Sequence, residues 1–312
     1  MKVGAVVLHY RFWPEVGATL NALLSQSRPP DRVVVVDNRS DDGSVIRLRE
    51  GFPGVEVIEA PANLGYGAGM NLGMRHLMSG GMDAVLLLTH ECRLAPDALD
   101  AMVARLEEQQ KVGAVGPLLA YRSQPTVVYS AGGQIDRRTW RQSHLREPRL
   151  VAEWAARPPR EAEWLDGAAV LLRSEAAREV GALDEDYFMY FEETEYLLRV
   201  GRRGWAVECV PAAIAWQEPG QKPQYIWLRN RLRFLARMAP KRHVLREAIR
   251  LAASVVRNSL LPNRSSTPTL LRDRRRALLH FLIRRWGPDA PRLARGDAEG
   301  IRSSVTKEPG GE

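Results

Sequence analysis

The chain has little that could cross-link it or hold it in a bilayer. Two cysteines, Cys92 and Cys209, stand in 312 residues. That is too few for a disulfide framework, so a reducing compartment is the expectation. No apolar run reaches the roughly 20 residues that a membrane-spanning helix needs. The opening stretch, Met1 to Tyr10, has an apolar run too short for a secretory signal, and it lacks a small-residue cleavage site. The expected location is the cytoplasm. Internal repeats are absent as well.

What is present is the composition of a globular protein, 45% hydrophobic and 26% charged. A chain of this length has room for one large domain or two moderate ones. The charge is unevenly placed. From residue 221 onward, 21 basic residues face 7 acidic ones, whereas the first 220 residues carry 24 against 30. A basic end behind an acidic body points to a contact surface confined to that end. No recognised nucleic-acid motif accompanies the charge, so no nucleic-acid partner is expected.

Strands and helices alternate through the first half. Val3 to His9 reads as a buried strand, and Glu15 to Ser25 as a helix with Val16, Leu20, Leu23 and Leu24 on one face. Val33–Val36 is a β-branched central strand. It runs into the polar turn Asp37-Asn38-Arg39-Ser40-Asp41-Asp42-Gly43-Ser44. Val55–Ile58 is a third strand. Asn63 to Gly73 is a glycine-rich turn entering a helix, and Ala84–Leu88 is a fourth strand that ends at Thr89-His90-Glu91. This alternation predicts an α/β fold, a mostly parallel central sheet flanked by helices, with its ligand outside the carboxyl ends of the strands. Further on, Trp164 to Arg173 reads as a turn feeding a strand. Ser174–Val180 and Glu192–Arg203 read as helices, and Val207–Val210 as a strand stopped by Pro211. After Gln221 the pattern is helical and basic.

One cluster stands out. Tyr187-Phe-Met-Tyr-Phe-Glu-Glu-Thr-Glu195 places Glu192, Glu193 and Glu195 behind an aromatic run. Carboxylates beside aromatic walls are costly unless paired or used, although a helix start also welcomes acids through its dipole.

Four segments together resemble a known family. They are Val35 to Ser44, Asn63 to Gly73, Gly167 to Arg173 with Val180 to Glu195, and Tyr225-Ile-Trp-Leu-Arg-Asn-Arg231. In this order and spacing the chain resembles an inverting family 2 glycosyltransferase of the GT-A (nucleotide-diphospho-sugar transferase) fold, close to the rhamnosyltransferase-like group. The resemblance covers about residues 1–237. It implies a catalytic domain over 1–237, with a nucleotide-binding half (1–95) and an acceptor and catalytic half (96–237). A basic helical extension over 238–300 and a disordered tail over 301–312 complete the expected organisation.

The resemblance also implies roles. Glu193 occupies the position of the family's catalytic aspartate and is the expected general base, with Glu192 as the alternative. Asp37 sits where the family holds the base of a nucleotide. A carboxylate there accepts from the imide N–H of uracil or thymine, which points to a UDP- or dTDP-sugar donor, a deoxysugar such as rhamnose among them. His9, Asn38, Gly65, Glu91 and Gly167 are expected to line the donor site. Asn63 and Asn71 either contact ribose or cap the turn, and Asp166 meets the acceptor or the sugar. Asp184 and Glu185 are expected to be structural. The partners are a nucleotide-sugar donor and a hydroxyl acceptor, either a cell-envelope glycan or a small natural product.

The pattern breaks where the family holds its divalent cation, Mg²⁺ or Mn²⁺. Thr89-His90-Glu91 offers one carboxylate in place of an Asp-x-Asp-like pair, and Gln217 stands where the family has a later His. Hard cations prefer carboxylate oxygens. Either Glu91 and the diphosphate still hold a cation, or side-chain cations replace it, with Lys222, Arg229 and Arg231 as candidates. A degenerate chain that binds a nucleotide sugar without turning it over, or serves as a scaffold, is the rival reading.

In the basic end, Arg246, Arg250 and Arg257 share one side of a helical wheel, with Ile249, Leu251, Ala252, Val255 and Val256 on the other. Such a helix fits peripheral contact with the inner face of an anionic membrane. It equally fits packing on the catalytic domain or on a second copy in a homodimer.

Overall fold

The computed structural model describes residues 1–287 except 155, 221 and 261–267. The chain forms two units. The first comprises Met1–Glu185 and Glu192–Glu218, and the second Asp186–Phe191 and the chain from Pro219 onward.

The first unit is built as β1 (Val3–His9), α1 (Trp13–Leu24), β2 (Arg32–Asp37), α2 (Ser44–Gly51), β3 (Glu56–Glu59), α3 (Gly65–Ser79), β4 (Ala84–Thr89), β5 (Arg93–Leu94), α4 (Ala98–Glu108) and β6 (Val112–Tyr121). Next come β7 (Val128–Ser130), β8 (Gly133–Asp136), β9 (Arg141–His144), β10 (Arg160–Glu161), β11 (Ala169–Arg173), α5 (Ser174–Val180), α6 (Glu192–Arg202) and β12 (Ala206–Gln217). The main sheet runs β10-β12-β6-β11-β4-β1-β2-β3. β3, β2, β1 and β4 are parallel, as expected for strands joined by helical crossovers. β1 is buried along its whole length, which is why its sequence is a continuous apolar run.

Two features differ from the sequence expectation. The glycine-rich stretch is mostly helix, because α3 begins at Gly65. Gly69 and Gly73, one turn apart, face β1. A Cβ at either would collide with Leu8 or Val6, so these two glycines serve close helix–strand packing. The last strand does not stop at Pro211. It continues to Gln217 across a register shift between Val210 and Ile214. A bulge tolerates a residue that cannot donate to the ladder.

β11 lies antiparallel between β4 and β6. Its N-terminal end therefore meets the C-terminal ends of its neighbours, and the Thr89 N–H donates to the Ala168 carbonyl at 3.0 Å. β12 runs parallel to β6, so Gln217 reaches the same edge beside Tyr121. Sequence reasoning left 96–163 blank. β8 and β9, four residues each, are too short for a local pattern to announce them.

The second unit holds α7 (Gln224–Met238), α8 (Lys241–Leu260) and α9 (Pro268–Leu282). Phe188, Tyr225, Leu228, Leu232, Leu251 and Ala277 form its core. α7 groups with these helices. The apolar face expected on α8 is divided: Leu251 is buried in this core, whereas Ile249 and Val256 face outward. The expected disordered tail, 301–312, lies outside the described residues. Among the described residues, no helix is long and apolar enough to cross a membrane.

Candidate active site

One edge of the main sheet collects most of the expected site residues. His9 and Asp37 end β1 and β2 in register with each other. Thr89-His90-Glu91 follows β4, Asp166-Gly167 precedes β11, and Gln217 ends β12. Buried polar atoms in folded proteins are nearly always hydrogen-bonded. Here His9 Nδ1 and Nε2, Asp37 Oδ1, Thr89 Oγ1, Asp166 Oδ2 and Gln217 Oε1 are all buried without a hydrogen-bond partner among the described residues. Such atoms gathered at one sheet edge are the mark of a ligand site.

His9, Asp37 and Asp166 are each held by a neighbour. Asp37 Oδ2 accepts from the Ser40 N–H at 2.9 Å, which leaves Oδ1 pointing elsewhere. His9 is fully buried edge-on against His90, with ring centroids 5.2 Å apart. Burial, then the proximity of His90, pushes its pKa down to about 3 against a weaker upward pull from Asp42, so the ring is neutral. The loops after β1 and β2 are tied together. The Arg11 N–H donates to Ser40 Oγ and the Phe12 N–H to Asp42 Oδ2, each at 2.7 Å. Asp166 Oδ1 pairs with His144 Nε2 at 3.0 Å. The His144 ring lies between Tyr129 and Trp164, with centroids 5.1 and 4.9 Å away.

The asparagines are committed to the scaffold. Asn38 Nδ2 donates to the Gly65 carbonyl at 2.9 Å, and Asn63 Oδ1 accepts from the Gly65 N–H at 3.1 Å. Asn71 donates to the Leu183 carbonyl and to Glu185 Oε1, both at 2.9 Å, and accepts from the Leu183 N–H at 3.0 Å. Asn63 closes a turn onto Gly65, and Asn71 clamps α3 to the 183–185 segment. Glu185 Oε1 is the acceptor in that clamp.

The acidic cluster splits by environment. Glu195 is buried and paired with Arg199 at 3.0 Å. Glu192 is buried, whereas Glu193 is half-buried. Thr194 Oγ1 donates to Glu193 Oε1 at 3.3 Å and accepts from Gln142 Nε2 at 2.6 Å. The Tyr66 hydroxyl donates to the Gly167 carbonyl at 2.7 Å. Burial, then the charges of Glu193, Glu192 and Glu91, holds that hydroxyl well above its ordinary pKa. The charges of three carboxylates from two segments, Glu192-Glu193 at the start of α6 and Glu91 after β4, therefore act on Tyr66.

Tyr66, Gln142, His144 and Thr194 were missed from sequence. Tyr66 sits inside the glycine-rich stretch and could have been singled out as its one aromatic. Gln142 and His144 lie on a short hairpin that carries no local signal.

The expected diphosphate cations fare differently. Lys222 is exposed. Arg229 is buried, and its guanidinium donates to the Tyr187 carbonyl at 2.9 Å, the Gly287 carbonyl at 3.0 Å and Asn230 Oδ1 at 3.0 Å. A guanidinium so committed is a structural clamp rather than a phosphate ligand. Asn230 Nδ2 extends the clamp to the Tyr187, Met189 and Tyr190 carbonyls. The segment so held carries positive φ at Phe188, Tyr190 and Phe191, a strained entry to α6. Phe191 packs on Trp227 and Phe234 of the same unit. Arg231 is buried in that unit too, with its charge near His243.

A match to the family model for glycosyltransferase-like family 2 spans residues 2–235. The chain belongs to this family. The transferase is 28% identical over 306 residues to a Mycobacterium tuberculosis N-acetylglucosaminyl-diphospho-decaprenol L-rhamnosyltransferase, covering 86% of this chain and 97% of that one. It is 31% identical over 127 residues to the galactofuranosyltransferase GlfT1 of the same organism, covering 40% and 42% of the two chains. Among solved structures it resembles the mannosyltransferase PcManGT from Pyrobaculum calidifontis in complex with GDP-Man and Mn²⁺. The TM-score is 0.56 at 16% identity, over 91% of this chain and 88% of that one. GalNAc-T7 with UDP, GalNAc and Mn²⁺ gives 0.57 at 12% identity, over 97% and 57%. The fold of this transferase is accordingly GT-A.

The residues present are a poor fit to a divalent cation. Of Thr89-His90-Glu91 only Glu91 is a carboxylate, and His90 Nε2 stands 3.6 Å from Glu91 Oε2 while Nδ1 faces the Leu8 carbonyl at 3.2 Å. Among the described residues no three His, Cys, Asp or Glu side chains converge as a metal site. Gln217 supplies a neutral amide where a charged or imidazole ligand would serve better.

Proposed function

We propose that this transferase moves a sugar, with inversion, from a UDP- or dTDP-sugar to a hydroxyl of a cell-envelope glycan acceptor, without a required metal ion. The observation that carries the reading is Glu193. It is half-buried, oriented through Thr194 by Gln142, and its charge, with those of Glu192 and Glu91, acts on the Tyr66 hydroxyl. Glu193 takes the proton of the acceptor hydroxyl as that oxygen attacks the anomeric carbon. The bond from this carbon to the diphosphate breaks on the opposite face, and nucleoside diphosphate departs. Glu192, more deeply buried, supports the field at the site but is the poorer base for an incoming hydroxyl.

The free lone pairs of Asp37 Oδ1 support recognition of an imide N–H, hence uracil or thymine over guanine. The rhamnosyltransferase relative, matched over almost its full length, supports a deoxysugar donor such as L-rhamnose and an acceptor sugar carried on a polyprenyl diphosphate.

The decisive test is Glu193→Gln with a panel of dTDP- and UDP-sugars. The expected result is a loss of turnover of about 10²–10⁴-fold, with nucleotide binding retained in a thermal-shift assay. Turnover at the wild-type rate would remove Glu193 as base. Retained nucleotide binding with no turnover in the unaltered protein, across the panel, would favour the non-catalytic rival.

A further inference from the structure

Among the described residues, the second unit leaves a concentration of large apolar side chains exposed. Among the described residues ten large hydrophobic side chains are exposed, and six of them lie in α8 or at the end of α9. Scattered exposed aliphatics are normal, but a concentration of this kind marks a contact surface. On α8 they are Leu245, Ile249 and Val256, exposed by 62%, 57% and 57%. On and just after α9 they are Leu279, Leu282 and Ile283.

Arginines accompany them in register. Each exposed aliphatic of α8 is followed by an exposed arginine, as Leu245-Arg246, Ile249-Arg250 and Val256-Arg257. At 3.6 residues per turn this draws an aliphatic row and an arginine row side by side along one helix face. Arg272 and Arg275 share the exposed face of α9 with Leu279 and Leu282, and Arg284 and Arg285 follow. The exposed faces of the two helices adjoin where Arg275 Nη2 donates to Ser259 Oγ at 2.7 Å. α8 carries five basic residues and one acid, Glu247, which is bound to Arg250.

We propose that this face docks on an anionic lipid bilayer surface. Aliphatic side chains at such a surface sink to the headgroup boundary, while neighbouring guanidiniums reach outward to the lipid phosphates. The parallel rows match that layering. Charge complementarity favours the bilayer over a second copy of the chain, because a two-fold contact through this face would bring arginine row against arginine row. Docking would carry the transferase to a polyprenyl-linked acceptor. That consequence rests on the function proposed above, whereas the docking itself does not.

The test is co-sedimentation of the full chain with vesicles of phosphatidylcholine alone and with vesicles rich in phosphatidylglycerol. It needs no turnover, so a negative result leaves the transferase reading intact. Expected are binding to the anionic vesicles only and weakening of that binding as salt rises. The pair Ile249→Asn and Val256→Asn, and separately the pair Arg246→Glu and Arg257→Glu, should each lower vesicle affinity by about tenfold or more. Both pairs replace exposed side chains, and an unchanged melting curve confirms folding. Absence of binding to either vesicle, equal binding to both, or wild-type binding by both variants would overturn the proposal. So would a homodimer that dissociates in the Ile249→Asn, Val256→Asn variant without any vesicle binding, since it assigns the face to a second copy.

Discussion

The Tyr66 hydroxyl and the Gly167 carbonyl meet at 2.7 Å, and a Cβ at position 167 would stand 2.9 Å from that same hydroxyl oxygen. The contact locks the start of α3 to the turn before β11, and the charges of Glu193, Glu192 and Glu91 act on the Tyr66 hydroxyl. Gly167→Ala should push Tyr66 out of place, costing about 1–3 kcal/mol of stability and lowering turnover more than donor affinity. Tyr66→Phe removes one hydrogen bond, worth about 1 kcal/mol. A double-mutant cycle should show coupling of about 1 kcal/mol. Strict additivity, read from denaturant unfolding, would mean that the two residues act separately.

The chain from Gln142 through Thr194 to Glu193 makes a second prediction. Thr194→Val keeps the shape of the side chain and removes the donor. Turnover should fall by about tenfold, the worth of one hydrogen bond to a charged group. In a Glu193→Gln background the same change should be silent, because the group it orients is gone. A further tenfold loss in that background would assign Thr194 a role of its own.

Much of this was legible in the sequence because the nucleotide half is written in local patterns. The buried strands of Val3–His9 and Val33–Val36 and the helix following Asn63 each announce themselves by periodicity and by their turns. The site then follows from which strand ends lie side by side. What was not legible depends on distant pairing. Gln142 and His144 reach the site across a two-stranded hairpin whose register no local pattern fixes. The segment Tyr225 to Arg231 suggested phosphate chemistry from its arginines, yet Arg229 and Asn230 hold backbone carbonyls of residues 187–190. Charge composition cannot distinguish a guanidinium that meets a ligand from one that meets a strained loop.

Metal dependence separates two sources of charge for the departing diphosphate. With one carboxylate in Thr89-His90-Glu91 and an amide at Gln217, activity should persist undiminished in excess EDTA. Complete loss, restored by Mn²⁺, would show that Glu91 and the diphosphate suffice to hold a cation. Glu91→Gln then discriminates further: it should leave activity within a few-fold if no cation is used, and abolish the Mn²⁺ rescue if one is.

His9 predicts an acid limit to stability. Its pKa is lowered from 6.5 to about 3 by burial, with the adjacent His90 adding to the effect and Asp42 opposing it. Below pH 6.5 the unfolded chain takes up a proton at this residue and the native chain does not, so stability falls as pH falls. Between pH 7 and 5 the loss from His9 should be about 2 kcal/mol. His9→Gln should flatten the melting temperature over that range relative to wild type. An unchanged slope would mean that His9 titrates normally in the folded protein.

Arg229 gives the sharpest contrast between a ligand role and a structural one. The side chain is 1% exposed and donates to three oxygens within its own unit. Arg229→Met keeps the approximate length and removes every donor, which strands the Gly287 carbonyl and Asn230 Oδ1, while the Tyr187 carbonyl keeps its bond from Asn230 Nδ2. Each buried acceptor so stranded costs about 1–3 kcal/mol. The strained turn at Phe188, Tyr190 and Phe191 also loses part of its restraint. The melting temperature should therefore drop by several degrees or more, and hydrogen exchange should speed up in 187–191 and α7. Dissociation constants for free UDP or dTDP, measured well below the melting point, should change little. A variant with wild-type stability and a nucleoside diphosphate affinity reduced by a hundredfold would place Arg229 on the phosphates after all, and would require its guanidinium to leave the carbonyls it holds.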